Sequence, residues 1–277
     1  MDYLLRIGEG TEANVTTTAN GENIEDNLIE INNKMLSKSE KLDDFIDEVY
    51  PNISNVIEDT NNIIERTILA AKNEDVDVIN DKVLYKLNGD DFVYYSADSI
   101  IASSTEDFNS NCQNIPVGFL NSLNFSGIPP HKLIIKKGAI VMLMRNLNPS
   151  LGLCNGTRLI CQSFSPHLIQ AEIITGVHRN QTVLIPRISL IPSDVQLPFE
   201  IKRRQFPIRP AFAMTINKAQ GQTMKFVWLY LPHTVSSHGQ LYVALSRVSS
   251  TSRISIFVQG EKYKLETKTL TKNVVYK

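Results

Sequence analysis

The sequence predicts an α/β domain interrupted by a small antiparallel barrel. Two patterns and one set of totals carry that expectation. Strand, capped turn and amphipathic helix follow one another at 67–87, and a similar texture returns after Pro210. Between them, residues 131–192 break into short apolar segments separated by turn chemistry. The 277 residues, 42% hydrophobic and 21% charged, leave room for one large domain or two small ones with a real core.

The first sixty residues read weakly. Thr11 to Asn27 is polar, rich in Asn and Thr, and without period, so a loop is expected. Leu28 to Met35 and Leu42 to Val49 each have the length of a short helix, in what reads as a solvated acidic segment. The pattern sharpens at Thr67-Ile68-Leu69-Ala70-Ala71, an apolar strand candidate. Asn73 follows as an N-cap, with Glu74 and Asp75 in the first turn, where the helix dipole favours negative charge. Val76, Ile79, Val83 and Leu87 then recur at helical spacing, and Phe92 to Tyr95 reads as the next strand.

In 131–192 the strand candidates are Ala139–Met144, Thr157–Cys161, Leu168–Ile174 and Thr182–Ile185. Asn148-Pro149-Ser150, Asn155-Gly156, Ser165-Pro166 and Arg179-Asn180 supply the turns. After Pro210 come strand Ala211–Met214, a helical turn to Gln220, strand Phe226–Leu231, helix Ser237–Val248 and strand Arg253–Val258. Leu241, Ala244, Leu245 and Val248 form the core stripe of that helix.

The net charge of −1 conceals a skew. Residues 1–60 hold 4 Lys and Arg against 14 Asp and Glu, whereas 61–277 hold 24 against 15. Within the latter, 131–225 carries 13 basic residues and 3 acidic ones, Glu172, Asp194 and Glu200. A skew of this size favours a polyanion, and nucleic acid is the usual one. Cys112, Cys154 and Cys161 form no CxxC pair and read as idle reduced thiols, and the histidines show no metal-ligand spacing. The opening MDYLLRIGEG lacks a basic n-region, and the longest clean apolar run, Ala139 to Met144, is far below a membrane span. An intracellular protein is expected.

Two segments carry most of the functional information. In Ala211-Phe-Ala-Met-Thr-Ile-Asn-Lys-Ala-Gln-Gly-Gln-Thr223, a buried strand delivers Thr215, Lys218 and Gln220 to its C-terminal edge, where open α/β sheets bind ligands. Gly221 there admits close approach of a phosphate or sugar. In His238-Gly-Gln-Leu-Tyr-Val-Ala-Leu-Ser-Arg-Val248, Arg247 sits near a helix end, on the face away from the apolar stripe.

These segments resemble motifs V and VI of superfamily 1 helicases, and TINKAQGQT with GQLYVALSRV is similar to the petite-integration-frequency (Pif) and Helitron-transposon helicases in particular. TILAAKNEDVDVIN resembles their motif IV region, RNLNPSLGLCNGTRL their inserted SH3-like barrel, TKNVVYK the usual end of Helitron helicases, and YLLRIGEG the last part of their first motor domain. The resemblance implies a RecA-like second motor domain at 61–130 and 193–277, an SH3-like barrel inserted at 131–192, and an acidic remnant of the first motor domain with its linker at 1–60. It implies a nuclear ATP-dependent DNA helicase that moves 5′ to 3′ on single-stranded DNA and uses ATP with Mg2+.

By the same resemblance, Arg247 is an arginine finger reaching the γ-phosphate, a task suited to a permanently charged planar fork; the plain alternative is a surface arginine at a helix C-terminus. Gln220, Gly221 and Gln240 fall at the nucleotide cleft. Asn73, Thr215, Lys218 and Tyr242 fall on the DNA side, although Asn73 also suits a cap and Tyr242 an ordinary half-buried helix position. Lys202, Arg203 and Arg204 read either as DNA contacts or as a solvated charged run. The departure is equally informative: no Gly-Lys dipeptide occurs, so a Walker A loop is missing, and Asp43-Asp44-Phe45-Ile46-Asp47-Glu48 follows no apolar strand and is a poor Walker B. The expected chain is therefore the C-terminal portion of such a helicase, inactive alone, partnered by single-stranded DNA and by a first motor domain, with no resident metal and no membrane. A nucleic-acid-binding module without catalysis, or an in-trans partner of another ATPase, are the alternatives. Arg247 is expected to face the nucleotide alone, so that its loss leaves DNA binding intact.

Overall fold

The computed structural model describes residues 2–13, 18–19, 22–23, 28–55, 60–101, 115–192, 197, 199–233, 235, 237–259 and 268–276. Cys112 lies outside them. The chain divides into two compact units, one formed by 1–86 with 212–277 and the other by 87–211.

The first unit opens with α1 (Asp2–Glu9), β1 (Leu28–Glu30), α2 (Leu42–Val49), β2 (Arg66–Ala70) and α3 (Asn73–Lys86). The second unit contains β3 (Phe92–Tyr95), β4 (Ala97–Ile101), α4 (Val117–Ser122), β5 (Lys132–Ile135), β6 (Ile140–Leu143), β7 (Arg158–Phe164) and β8 (Leu168–Ile173). It continues through β9 (Thr182–Pro186), β10 (Ile188–Leu190), β11 (Glu200–Gln205) and β12 (Ile208–Pro210). The chain then completes the first unit with β13 (Ala213–Thr215), β14 (Phe226–Leu231), α5 (Gln240–Leu245), β15 (Ile254–Val258) and β16 (Leu270–Lys272).

A four-stranded parallel sheet, in the order β13-β2-β14-β15, centres the first unit. Its residues Ile68, Leu69, Val227 and Leu229 are fully buried, as continuous apolar strands covered on both faces must be. The α3 stripe packs as its spacing predicts: Val76, Ile79, Val83 and Leu87 are buried. Asn73 is the first helical residue rather than the cap; the Lys72 carbonyl accepts the Val76 N–H at 3.3 Å.

Residues 28–53 are not a solvated segment. Phe45, Ile46, Val49 and Tyr50 are fully buried, and the Phe45 ring lies 5.1 Å from Phe257. The α2 acids meet α3: Asp43 pairs with Lys82 and Asp47 with Lys86. The hydrogen bond from Lys82 holds the Asp43 carboxyl below its ordinary range. Leu28–Met35 is not one helix but β1, paired antiparallel with β16, followed by a 3-10 turn at Asn33–Met35. Ile29 and Ile31 favour extended backbone, and the Asn32 side chain accepts the Lys34 N–H to start the turn.

In the second unit, an antiparallel sheet ordered β9-β8-β7-β6-β12 and the β3–β5 pair share a core that includes Tyr94, Leu133, Val141, Leu159, Ile169 and Phe206. All four strands expected in 131–192 are present. Gly156, at φ 90°, turns the chain between β6 and β7, and its N–H bonds the Leu143 carbonyl. Burial pushes the Cys161 thiol up to about 12; Cys154 is half-buried and also free.

A further sheet, β10-β11-β4, packs a second small core of Leu120, Phe125, Ile128, Leu190 and Ile201. The described residues of 87–130 and 193–211, grouped by texture with the α/β part, thus fall in one compact unit with the strands of 131–192. Strand alternation splits the basic run of β11, leaving Lys202 and Arg204 exposed and Arg203 fully buried. Directly opposite Arg203 in register is Asp98. The guanidinium donates to both Asp98 oxygens, with Nη2 to Oδ2 at 2.7 Å, and to the carbonyls of Leu120, Leu123 and Pro129. Ser96 donates a further hydrogen bond to Asp98, at 2.7 Å. Truncation of one partner strands the other charge in the core, so Arg203→Ala is expected to lower stability by about 3–5 kcal/mol. Urea unfolding checks this; an unchanged midpoint would show that the pair is dispensable.

Candidate nucleic-acid and nucleotide interface

The parallel sheet ends in the loops that hold most of the residues singled out by sequence. β13 stops at Thr215, and a 3-10 turn, Ile216–Ala219, follows. Ile216 and Ala219 are fully buried and anchor the turn, while Asn217, Lys218, Gln220 and Gly221 are exposed. Gly221 adopts φ 78° with nothing near the position of an added Cβ, so its backbone conformation, not crowding, calls for glycine. Thr215 is 8% exposed, which leaves little of its hydroxyl to meet a ligand. Asn73 is exposed at the start of α3.

One residue that the sequence did not single out holds this site together. Asn80, 4% exposed, accepts the Ala213 N–H at 2.9 Å and donates to the Ala213 carbonyl at 3.1 Å. Its carboxamide serves β13, an edge strand, as a surrogate for a neighbouring strand. The only signal was a polar residue beside the α3 stripe, which reads equally well as a solvated position.

The second motif departs from the expected helix. Ser237–Val248 contains only the six-residue α5, preceded by Gly239 at φ 66°. Leu241, Ala244, Leu245 and Val248 are buried as the stripe predicts. Gln240 is buried, its Nε2 3.5 Å from the Ala71 carbonyl, and its Oε1 has no hydrogen-bond partner among the described residues. Tyr242 is 36% exposed, with its ring about 3.0 Å from where a Cβ on Gly8 would lie.

Arg247 falls beyond the helix and does not point freely outward. Its Nε donates to the Val243 carbonyl at 2.9 Å and Nη2 to the Ser246 hydroxyl at 2.9 Å. Nη1 reaches the carbonyls of Ala219 at 3.4 Å and Gln222 at 3.3 Å. The arginine of one motif thus touches the turn of the other.

In the second unit, Lys202 and Arg204 share the exposed face of β11, across from Ser99 and Ala97 of β4. Arg203, grouped with them as a DNA contact, is corrected: a guanidinium with no exposure and its donors engaged by Asp98 and three carbonyls offers nothing to a phosphate. Near the sheet's C-terminal edge, burial pushes the Asp75 carboxyl up against the opposing influence of His233 and Lys72. Among the described residues no three His, Cys, Asp or Glu side chains gather to hold a metal ion, and no helix is long and apolar enough to cross a membrane.

Known proteins resemble this chain in sequence and in fold. A family profile described as "DNA helicase Pif1, 2B domain" matches residues 118–164. The human ATP-dependent DNA helicase PIF1 is 36% identical over 127 residues, 45% of this chain and 19% of that protein. Its Xenopus laevis counterpart is 28% identical over 206 residues, 73% of this chain and 29% of that protein, and the Rattus norvegicus protein is 31% identical over 193 residues, 69% and 27%. The chain spans between about a fifth and three tenths of the length of these relatives. Among solved structures, Pif1 helicase from Candida albicans gives a TM-score of 0.52 at 22% identity, covering 79% of this chain and 54% of that one. Bacteroides Pif1 bound to ssDNA gives 0.50 at 23% identity, covering 78% and 49%. Identity this low speaks for the fold, an α/β arrangement with parallel strands.

The Asn80 clamp is testable by itself. Asn80→Leu leaves the Ala213 N–H and carbonyl unserved, at an expected cost of about 1–3 kcal/mol. Hydrogen exchange at the Ala213 amide should accelerate with it. Unchanged protection there would show that β13 is held by other means.

Proposed function

We propose that this Pif1-like chain is the second-motor-domain portion of an ATP-dependent DNA helicase, carrying an SH3-like insertion at 131–192. In this reading the turn after Thr215 follows single-stranded DNA, and Arg247 closes the nucleotide cleft. One observation carries it: Arg247 and the turn 216–222 are joined directly, through the Ala219 and Gln222 carbonyls, at the C-terminal edge of a parallel sheet. That edge is where α/β sheets bind ligands.

ATP with magnesium supplies the transferable phosphoryl group in such a helicase. Two features of this chain fit the lid side of a nucleotide. The Arg247 guanidinium is a charged fork for phosphate oxygens, and the buried Oε1 of Gln240, with no donor among the described residues, is an acceptor suited to a ribose hydroxyl or a base amino group. Gln220 and Gly221 stand on the same side of the reading, and Asn73, Lys218, Lys202 and Arg204 supply exposed polar or basic contacts to DNA. Tyr242 meets DNA through the part of its ring that α1 leaves open. A first motor domain, on the same polypeptide or in trans, would hold the triphosphate and the metal. Polarity from 5′ to 3′ and a nuclear location belong to the same reading.

A second reading, a nucleic-acid-binding module without catalysis, draws support from residues 28–53. They complete the core of the α/β unit instead of trailing from it. Both readings require DNA binding, and its salt dependence is the first test. Affinity for an oligothymidine should fall with salt at a log-log slope of about −0.7 per phosphate neutralised. Affinity that is absent at low salt, or indifferent to salt, removes both readings. DNA-stimulated ATP hydrolysis separates them: residues 1–277 alone should show none, and addition of a first motor domain should restore it in the helicase reading only. Hydrolysis by the chain alone, lost in Arg247→Ala, would overturn the division of labour between two motor domains.

A further inference from the structure

We propose that Arg247 is also a positioning residue for the DNA-side turn: it straps residues 219–224 to the end of α5, and a phosphate that takes up its guanidinium loosens the strap. This rests on the reading of the two motifs given above and adds how they communicate.

The donors of Arg247 are nearly all engaged. A guanidinium has five N–H groups, and four hydrogen bonds leave from this one. The two bonds at 2.9 Å, to the Val243 carbonyl and the Ser246 hydroxyl, stay within its own segment. The two that reach the turn are longer, 3.4 Å to Ala219 and 3.3 Å to Gln222. Longer bonds are weaker, so these yield first. Their acceptors are neutral carbonyls, whereas phosphate oxygens are charged, and charge-assisted bonds are roughly twice as strong. An anion at the nucleotide side therefore draws Nη1 away from the turn while Nε remains seated.

Release has a defined recipient. Ala219 and Gln222 bracket Gly221, at φ 78°, and the exposed Gln220. The Gln222 Nε2 donates to the Lys218 carbonyl at 3.2 Å, which carries the restraint to the cation proposed to meet DNA. The Met224 N–H bonds the Arg247 carbonyl at 2.9 Å, fixing the far end of the strap. The coupling runs through one side chain and needs no extended pathway. It reverses the expectation that loss of Arg247 leaves DNA binding intact.

The test uses residues 1–277 as wild type, Arg247→Lys and Arg247→Ala, followed by hydrogen exchange and by oligothymidine affinity. Lysine keeps the charge but not the fork, so it serves even where alanine disturbs folding. Both variants should exchange the Gln220 and Gln222 amides about tenfold faster, the loss expected from two weak hydrogen bonds. Amides of β2 and β14 should keep their protection, and oligothymidine affinity should fall by several-fold. Inorganic tripolyphosphate, added together with a first motor domain to hold it and without DNA, should accelerate the same amides in the wild type and not in Arg247→Ala. A wild type that binds no oligothymidine refutes the DNA reading itself. A wild type that binds while both variants bind equally well refutes the strap, as do unchanged amides or a wild type indifferent to tripolyphosphate.

Discussion

The return of the chain to the parallel sheet at Phe212 and Ala213 is the constraint on which this molecule depends. The chain leaves the α/β unit after Lys86 and must regain it in register. Three groups meet it there. The Ile68 N–H bonds the Phe212 carbonyl at 3.1 Å, Tyr50 donates its hydroxyl to the same oxygen at 2.6 Å, and the Asn80 carboxamide serves both polar groups of Ala213. These partners come from β2, from the residue after α2 and from α3. A slip of one residue would invert the faces of β13 and carry Thr215 and the turn beyond it out of place. The local geometry of the site is thus fixed by residues distant in sequence and silent in chemistry.

The acidic first segment gains a different meaning once it is placed. Asp43 and Asp47 face the α3 lysines, and Glu48 accepts from Ser37, Ser39, Trp228 and Ser255. Exposed pairs of this sort contribute about 0–1 kcal/mol each, so they do not hold the segment down. Burial of Phe45, Ile46, Val49 and Tyr50 does, at roughly 1.5–3 kcal/mol for a large apolar side chain. The acids orient a helix that its apolar face already binds, and they pair with the two lysines of α3.

The sequence made most of the elements legible because their signals are local. α2 is read at its observed bounds, Leu42–Val49, and so are Phe92–Tyr95 and Phe226–Leu231. What escaped depends on partners far along the chain. The sheet β10-β11-β4 joins strands drawn from 97–101, 188–190 and 200–205, and its inward positions on β11 are Ile201, Arg203 and Gln205. An inward arginine erases the apolar alternation by which a half-buried strand is recognised. Only Asp98, opposite in register, makes it a core residue. The site divides along the same line. Residue types and spacing mark the two motif loops, but neither the Asn80 clamp nor the side-chain direction of Arg247 follows from spacing, because each depends on acceptors supplied by another element.

The second motif is short, and its position comes from outside itself. A six-residue helix has little stability of its own, so its start must be held by tertiary contacts. Two segments supply them. The Gly239 N–H bonds the Val274 carbonyl at 2.9 Å, the Tyr276 N–H bonds His238 Nδ1 at 2.8 Å, and the His238 and Tyr276 rings stack at 5.3 Å. From the other side, α1 lays Gly8 against the Tyr242 ring, and Gly10 meets Val275. Asn273 ties the two segments together by donating to the Ile7 carbonyl at 2.9 Å. Glycine at position 8 allows this approach: a Cβ there would sit about 3.0 Å from the ring, and Tyr242 would have to give by a few tenths of an ångström. Residues 2–10 and 270–276 therefore form one cradle beneath α5. A displacement of α1 reaches Tyr242 first and then Arg247, two residues past the end of α5, so the orientation of the arginine is set jointly by that cradle and by the carbonyls of the turn it straps.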